Sequence, residues 1–255
     1  DNAHYLMAVL NLEILPRDVT VTVEYKDGNS SVSTHPYGSR LSLPAAPLPG
    51  APDTYFAGWA VEAGAERLFL PAGAEITLTE DLTLRPVYID LILLEGAALK
   101  INLTTSLRFT AVTSYDRYTR LVSAAGKNNI GYGLIFCKTS DLGSMLLHPT
   151  VLEATNTPYY RTYSEGWVHT ALQSGEYYGY CGDTQPITSA DYSTSYSAVA
   201  YFSIKYSNGK TALICTAYDA AKNSRSAEYV ARAALADTKT SYTPEAIEIL
   251  KKIAG

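Results

Sequence analysis

This 255-residue chain has little charge, sulfur or histidine to do chemistry with: 18% charged residues, three Cys, two Met and four His. Three cysteines, all after residue 130, exclude a complete disulfide framework. Cys137 and Cys215 sit in apolar runs and read as small buried hydrophobes. One bridge between any two of Cys137, Cys181 and Cys215 stays open, with no readable pairing. His4, His35, His148 and His169 are scattered without the spacing of a zinc site, so no metal or other cofactor is expected. No apolar run is long enough to span a bilayer; Tyr5 to Leu10 is too short and has acidic neighbours. The chain starts at Asp1 rather than Met, which fits a trimmed piece of an exported precursor.

A concentrated basic face is also missing. Residues 1–90 hold five Lys or Arg against twelve Asp or Glu, and residues 91–255 hold fifteen against thirteen. Neither half has the positive field that nucleic-acid binding needs. With 47% hydrophobic residues, the chain has enough apolar surface for a sizeable core, and its length fits two domains.

Alternation marks the first domain, 1–90, with residues 1–18 as a lead-in that adds an edge strand. Val19, Val21 and Val23 alternate with Thr20, Thr22 and Glu24, the period of a half-buried strand. Asp27-Gly28-Asn29 signals a turn. Phe56 and Trp59 flank the small pair Ala57-Gly58, and Leu82, Leu84 and Tyr88 close the unit. Pro86 predicts a sheet edge or strand end there. The ordered elements V-T-V-x-Y (19–25 region), Pro36-Tyr37-Gly38, a proline loop through Pro52, Tyr55-Phe56-Ala57-Gly58-Trp59 and Asp81 to Tyr88 resemble the Listeria–Bacteroides repeat of internalin-like bacterial surface proteins. The resemblance covers residues 19–89. It implies a β-grasp-like module used as spacer or contact unit, present here in one copy.

The second domain, 91–255, reads as a β-sandwich-like core with a short helical tail, so the whole chain is expected to be mainly β. Leu99, Ile101 and Leu103 form one alternating set, and Leu107, Phe109 and Ala111 another. Tyr132 to Cys137 reads as a central strand. Ala198 to Tyr218 predicts a hairpin about Asn208-Gly209, with a type I′ turn. Ala227, Val230, Ala231, Ala234 and Leu235 follow a cap at Ser224 or Ser226. A last helix starts at Thr243-Pro244 and presents Ala246, Ile249, Leu250 and Ile253. Gly96 to Ile101, Leu107-Arg108-Phe109, Gly131 to Ile135 and Arg225 to Thr238 look like a module in surface proteins of gut Clostridia. That resemblance implies an extracellular location and no activity.

Tyrosine is abundant: 21 against five Phe, ten of them between Tyr159 and Tyr206. A phenol offers a flat apolar face and a hydroxyl at low entropic cost, which suits contact with sugar or protein. Tyr159, Tyr160, Tyr163, Trp167, Tyr177, Tyr178 and Tyr180 are the candidate binding residues, because Gly and Ser punctuate their stretch like a loop. Tyr as ordinary strand filler is the competing explanation. Arg108 is expected to be solvated or ion-paired on its strand. Cys181 with Gln185 as a thioester, Cys181 with His169 as a nucleophile pair, and a glycosidase pair drawn from Glu153, Glu165, Glu176 and Asp183 are each weakly patterned. The sequence therefore predicts a non-enzymatic piece of a bacterial cell-surface protein that binds a host or bacterial glycan or protein. A purely structural stalk and a carbohydrate-active enzyme are the alternatives.

Overall fold

The computed structural model describes residues 17–25, 28–45, 47, 50–101, 104–164, 168–172 and 175–255, with the backbone alone at 168–172 and 175. Residues 1–16, Leu103 and Trp167 lie outside the described residues, and with them the expectations for the lead-in and the second half of the Leu99 strand. The chain is mainly β with several sheets and short C-terminal helices, as the alternation predicts.

The first ninety residues supply seven strands: β1 (Asp18–Glu24), β2 (Ser30–Pro36), β3 (Arg40–Ser42), β4 (Thr54–Ala63), β5 (Glu66–Leu70), β6 (Glu75–Thr77) and β7 (Leu82–Asp90). Five of them form one mixed sheet in the order β2-β1-β7-β4-β5, while β3 pairs β6 separately. Val19, Val21 and Val23 are buried in a core with Trp59, Val61, Leu82 and Leu84. Trp59 donates its indole N–H to the Pro44 carbonyl at 3.1 Å, which ties the start of the proline loop to the ring. Ala57-Gly58 is small for a local reason. The strand bulges between Phe56 and Gly58, and a Cβ on Gly58 would lie 2.7 Å from the Phe69 ring.

Pro86 is not at the strand end that was one of the two expectations; it lies inside β7, opposite Trp59 of β4, at a local edge of the sheet past the last residue that pairs with β1. It is tolerated because β1 pairs with β7 only through Leu82–Leu84; beyond that point β7 has a free margin on one side.

The rest of the chain forms β8 (Ile92–Leu93), β9 (Ala98–Lys100), β10 (Ser106–Ser114), α1 (Tyr115–Ala125), β11 (Ile130–Lys138), α2 (Thr139–Leu142) and α3 (Pro149–Ala154). Then come β12 (Tyr160–Tyr163), β13 (Val168–Leu172), β14 (Gly175–Asp183), β15 (Ser195–Lys205), β16 (Thr211–Cys215) and α4 (Ala220–Asn223). The chain ends with β17 (Ser224–Ser226), α5 (Ala227–Ala236) and α6 (Pro244–Ala254). One sheet runs β13-β14-β10-β8 with β9 on β10; the other runs β12-β11-β15-β16 with β17 on β15. Their inner faces meet through Phe109 and Phe136, ring centroids 5.7 Å apart. The strand expected at Tyr132 to Cys137 is central, flanked by β12 and β15.

The Asn208-Gly209 hairpin forms, but not with a type I′ turn. Among the described residues only Asp53 and Asn156 combine a side chain with positive φ, so Asn208 does not; Gly209 does, at 80°. Gly209 N–H donates to Tyr206 O at 2.9 Å and Tyr206 N–H to Lys210 O at 2.8 Å, the pattern of a three-residue loop with a Gly bulge. The extra residue places Ser207 on β5, where Ser207 N–H donates to Phe69 O at 2.9 Å and Phe69 N–H to Ser207 Oγ at 2.8 Å.

Ser226 caps α5, and Thr243 caps α6 with Pro244 in its first turn, as predicted. Ile249 is 39% exposed and leaves the expected face of α6, whose buried residues are Leu250, Ile253 and Ala254. Helix α1 was not predicted. It packs against β7, covering the sheet of the first ninety residues with a helix from the second part of the chain.

Candidate functional site

Within the Gly- and Ser-punctuated stretch from 159 to 183, Tyr160–Tyr163, Val168–Leu172 and Gly175–Asp183 are strand rather than loop. That alternation divides the candidate tyrosines. Tyr160 points inward and stacks on Phe136 with ring centroids 5.1 Å apart and planes at 23°, while its hydroxyl accepts the Gln185 N–H at 2.9 Å. Tyr180 is 2% exposed, packs against Tyr132 and donates its hydroxyl to Tyr201 O at 3.4 Å. Burial pushes its phenol well above the ordinary value. Tyr178 is half-buried between Tyr115 and Tyr118, at centroid distances of 5.0 and 5.6 Å. Tyr177 lies on the opposite face of β14, across from Ser114. Tyr180 and Tyr160 are thus core residues rather than ligand contacts, because an inward strand position gives the ring to the opposite sheet. The six described candidates do not form one surface.

A smaller surface remains. Tyr159, Arg161 and Tyr163 alternate at the end and along the outward side of β12, an edge strand. Tyr163 is 72% exposed and stands edge-on to Tyr201, with centroids 6.3 Å apart and planes at 90°. Tyr201 is fixed from below: its ring passes over Gly133, which has no Cβ to block it, and its hydroxyl donates to Thr162 O at 3.0 Å. Burial pushes the Tyr201 phenol up to about 12, so it stays a donor at neutral pH. The Arg161 guanidinium lies 5.8 Å from the Tyr159 ring centroid and within 3.7 Å of the Glu153 carboxylate on α3. Tyr159 donates its hydroxyl to the same carboxylate, and this bond, with burial, raises its phenol above the usual range.

This row combines an exposed ring, a planar multi-donor cation and a carboxylate. The C–H face of a sugar stacks on such a ring, and its hydroxyls pair with the Arg fork and the carboxylate. The sequence reading did not single out Arg161, and it named Glu153 only among carboxylates for a glycosidase pair. The spacing Tyr159-x-Arg161-x-Tyr163 was the available signal, since period 2 puts all three on one side of a strand.

The other candidates separate. All three cysteines are free. Burial pushes the Cys137 thiol to about 11 and the Cys215 thiol to about 12, which leaves both protonated at neutral pH. Cys181 is exposed on β14 beside Thr110 Oγ1 at 3.3 Å. Gln185 lies past the end of β14, where its N–H donates to the Tyr160 hydroxyl at 2.9 Å. The His169 side chain and Glu165 lie outside the described residues. Arg108 is ion-paired as expected: its Nε and Nη2 donate to Asp183 at 2.7 and 2.9 Å, and Lys100 adds a contact at 3.0 Å. Glu153 and Asp183 therefore belong to two different ionic clusters. No group of three metal-ligating side chains occurs among the described residues, and no described helix is long and apolar enough to cross a membrane.

No family model matches the chain, and no curated protein or solved structure matches it.

Proposed function

We propose that this chain is a non-enzymatic part of a bacterial cell-surface protein, and that its second part binds an extracellular glycan through the outward side of β12. The observation that carries the binding role is the Tyr159–Arg161–Tyr163 row with Glu153 beside it. The surface location rests on the resemblance of residues 19–89 to the Listeria–Bacteroides repeat. A structural stalk is the second reading, and one observation favours it: the hairpin tip at Ser207 is hydrogen-bonded to β5, which suits a stiff section.

The test is binding of the intact chain to an array of glycans, mucins and matrix proteins. A glycan hit weakened about tenfold or more by Tyr163→Ala and by Arg161→Ala, at unchanged melting temperature, supports the β12 surface. A hit indifferent to both variants removes that surface from consideration. A blank array with folded protein moves the conclusion to the stalk.

A further inference from the structure

A second cleft, unrelated to β12, opens where β7 outruns β1. The parallel pairing stops at Val23–Leu84, and the next residues of β7, Arg85 to Tyr88, form its floor. Pro86 carries no N–H, so it does not recruit another strand to this free margin. Glu24 and Tyr25, at the end of β1, form one wall, and α1 closes the cleft with Arg117 and Arg120. The volume is about 270 Å³, the size of one small ring rather than an extended chain.

The three arginines are not equivalent. Arg85 is fully engaged: its Nε donates to Glu24 at 2.6 Å and its Nη1 to Glu62 at 2.5 Å. Arg117 Nε lies 3.0 Å from Asp90 Oδ2, while Asp90 Oδ1 accepts the Thr54 hydroxyl at 2.7 Å. That ion pair positions the guanidinium, and its terminal nitrogens have no hydrogen-bond partner among the described residues. Arg120, one turn later on the same side of α1, has no partner among the described residues. Two unfilled guanidinium forks, one of them pre-oriented, form a bidentate receptor for a carboxylate. The Tyr88 and Pro86 surfaces suit a ring, and the Glu24 carboxylate accepts from hydroxyl groups.

We propose that this cleft binds a single carboxylated sugar ring, with the carboxylate on Arg117 and Arg120 and the ring against Tyr88. The proposal does not rest on the β12 surface.

The test is NMR titration of the intact chain with glucuronate, glucose and inorganic phosphate. Glucuronate is expected to shift the Arg117 and Arg120 side-chain signals saturably, and glucose to leave them in place. Arg120→Gln, on an exposed position, should weaken glucuronate at least about tenfold at unchanged melting temperature. Arg117→Lys keeps the charge and loses the fork, and should weaken it as well; Tyr163→Ala should not. Equal binding of glucose, equal binding of phosphate, no saturable shift with glucuronate, or indifference to Arg120→Gln would each overturn the proposal.

Discussion

The two main hydrophobic cores differ in what fills them and in where they end. The first holds Val19, Val21, Val61, Leu82, Leu84 and one aromatic, Trp59, on one face of the β2-β1-β7-β4-β5 sheet. The second is rich in rings, among them Phe109, Tyr118, Phe136, Tyr180, Phe202 and Tyr206. It continues past Asp90 into the first ninety residues, through Ala57, Phe69, Val87 and Ile89 on that sheet's other face. An aliphatic core is held by area and shape, with few directional demands. A tyrosine core must also place each hydroxyl, so it fixes neighbours by direction: Tyr206 donates to Ala57 O at 2.7 Å across the junction. The two parts are therefore joined by a buried face rather than by a linker. The sheet of the first ninety residues buries its second face in a core that it shares with the rest of the chain.

Removing a ring from the shared face tests this most severely. Phe69→Ala at a 2% exposed position should cost about 3–5 kcal/mol, and denaturant unfolding should remain a single transition with a lowered midpoint. Leu84→Ala, in the aliphatic core, should cost about 2–5 kcal/mol and move that same transition. Two separable transitions in either variant would return the molecule to two independent beads. A smaller intrusion at the same face is Gly58→Ala. Its new methyl would sit 2.7 Å from the Phe69 ring and 3.0 Å from Leu70 O, for a loss of about 1–3 kcal/mol. A neutral result there would mean that Phe69 moves freely, against the close junction.

Alternation in the sequence was enough to find Val19 to Val23, Leu107 to Ala111, the hairpin and both C-terminal helix caps, because each depends on local periodicity or a single capping group. It could not locate α1. Tyr118, Leu121 and Ala125 fall on one helical side against polar Asp116, Arg117, Thr119 and Arg120, with Gly126 as a stop, so the signal was helical spacing rather than the period-2 alternation of a strand. Pro86 signalled an edge, but where along β7 that edge begins depends on the extent of pairing to β1, a long-range fact. The turn type misled because Asn-Gly suits two loop lengths, and the contact of Ser207 with β5 favours the longer one. In the candidate stretch, Tyr160 and Tyr180 are turned into the core while Tyr163 is exposed. Which tyrosines face out is set by strand phase, and Gly and Ser concealed the strands.

The hydroxyl of Tyr206 tests the directional side of the comparison alone. Tyr206→Phe keeps the ring against Phe69, whose centroid is 5.5 Å away, and leaves the buried Ala57 carbonyl unpaired. A cost of about 1–2 kcal/mol is expected. Tyr163→Phe, at an exposed ring, should stay within about 0.5 kcal/mol of the parent by the same unfolding measurement. Equal costs would show that phenol hydroxyls are not what ties the two parts together.

The smallest effect compares the charged surfaces, which are built in opposite sense. Arg85 gathers two carboxylates in the first part, whereas Asp183 gathers Arg108 and Lys100 in the second. The Arg108 hydrogen bonds hold the Asp183 carboxyl below its ordinary range, burial opposes them, and Lys100 adds to the lowering. A carboxylate whose folded value is depressed contributes stability that is fully present above the unfolded value, about 3.9. That stability is lost as pH falls through the lower folded value. Because the pair is partly solvated, the contribution should be below about 1 kcal/mol. Asp183→Asn should therefore be slightly less stable than the parent at pH 7, and the difference should shrink to nothing well below the folded value in acid. A gap of constant size across that range would show that the aspartate acts through packing or hydrogen-bond geometry and not through its charge.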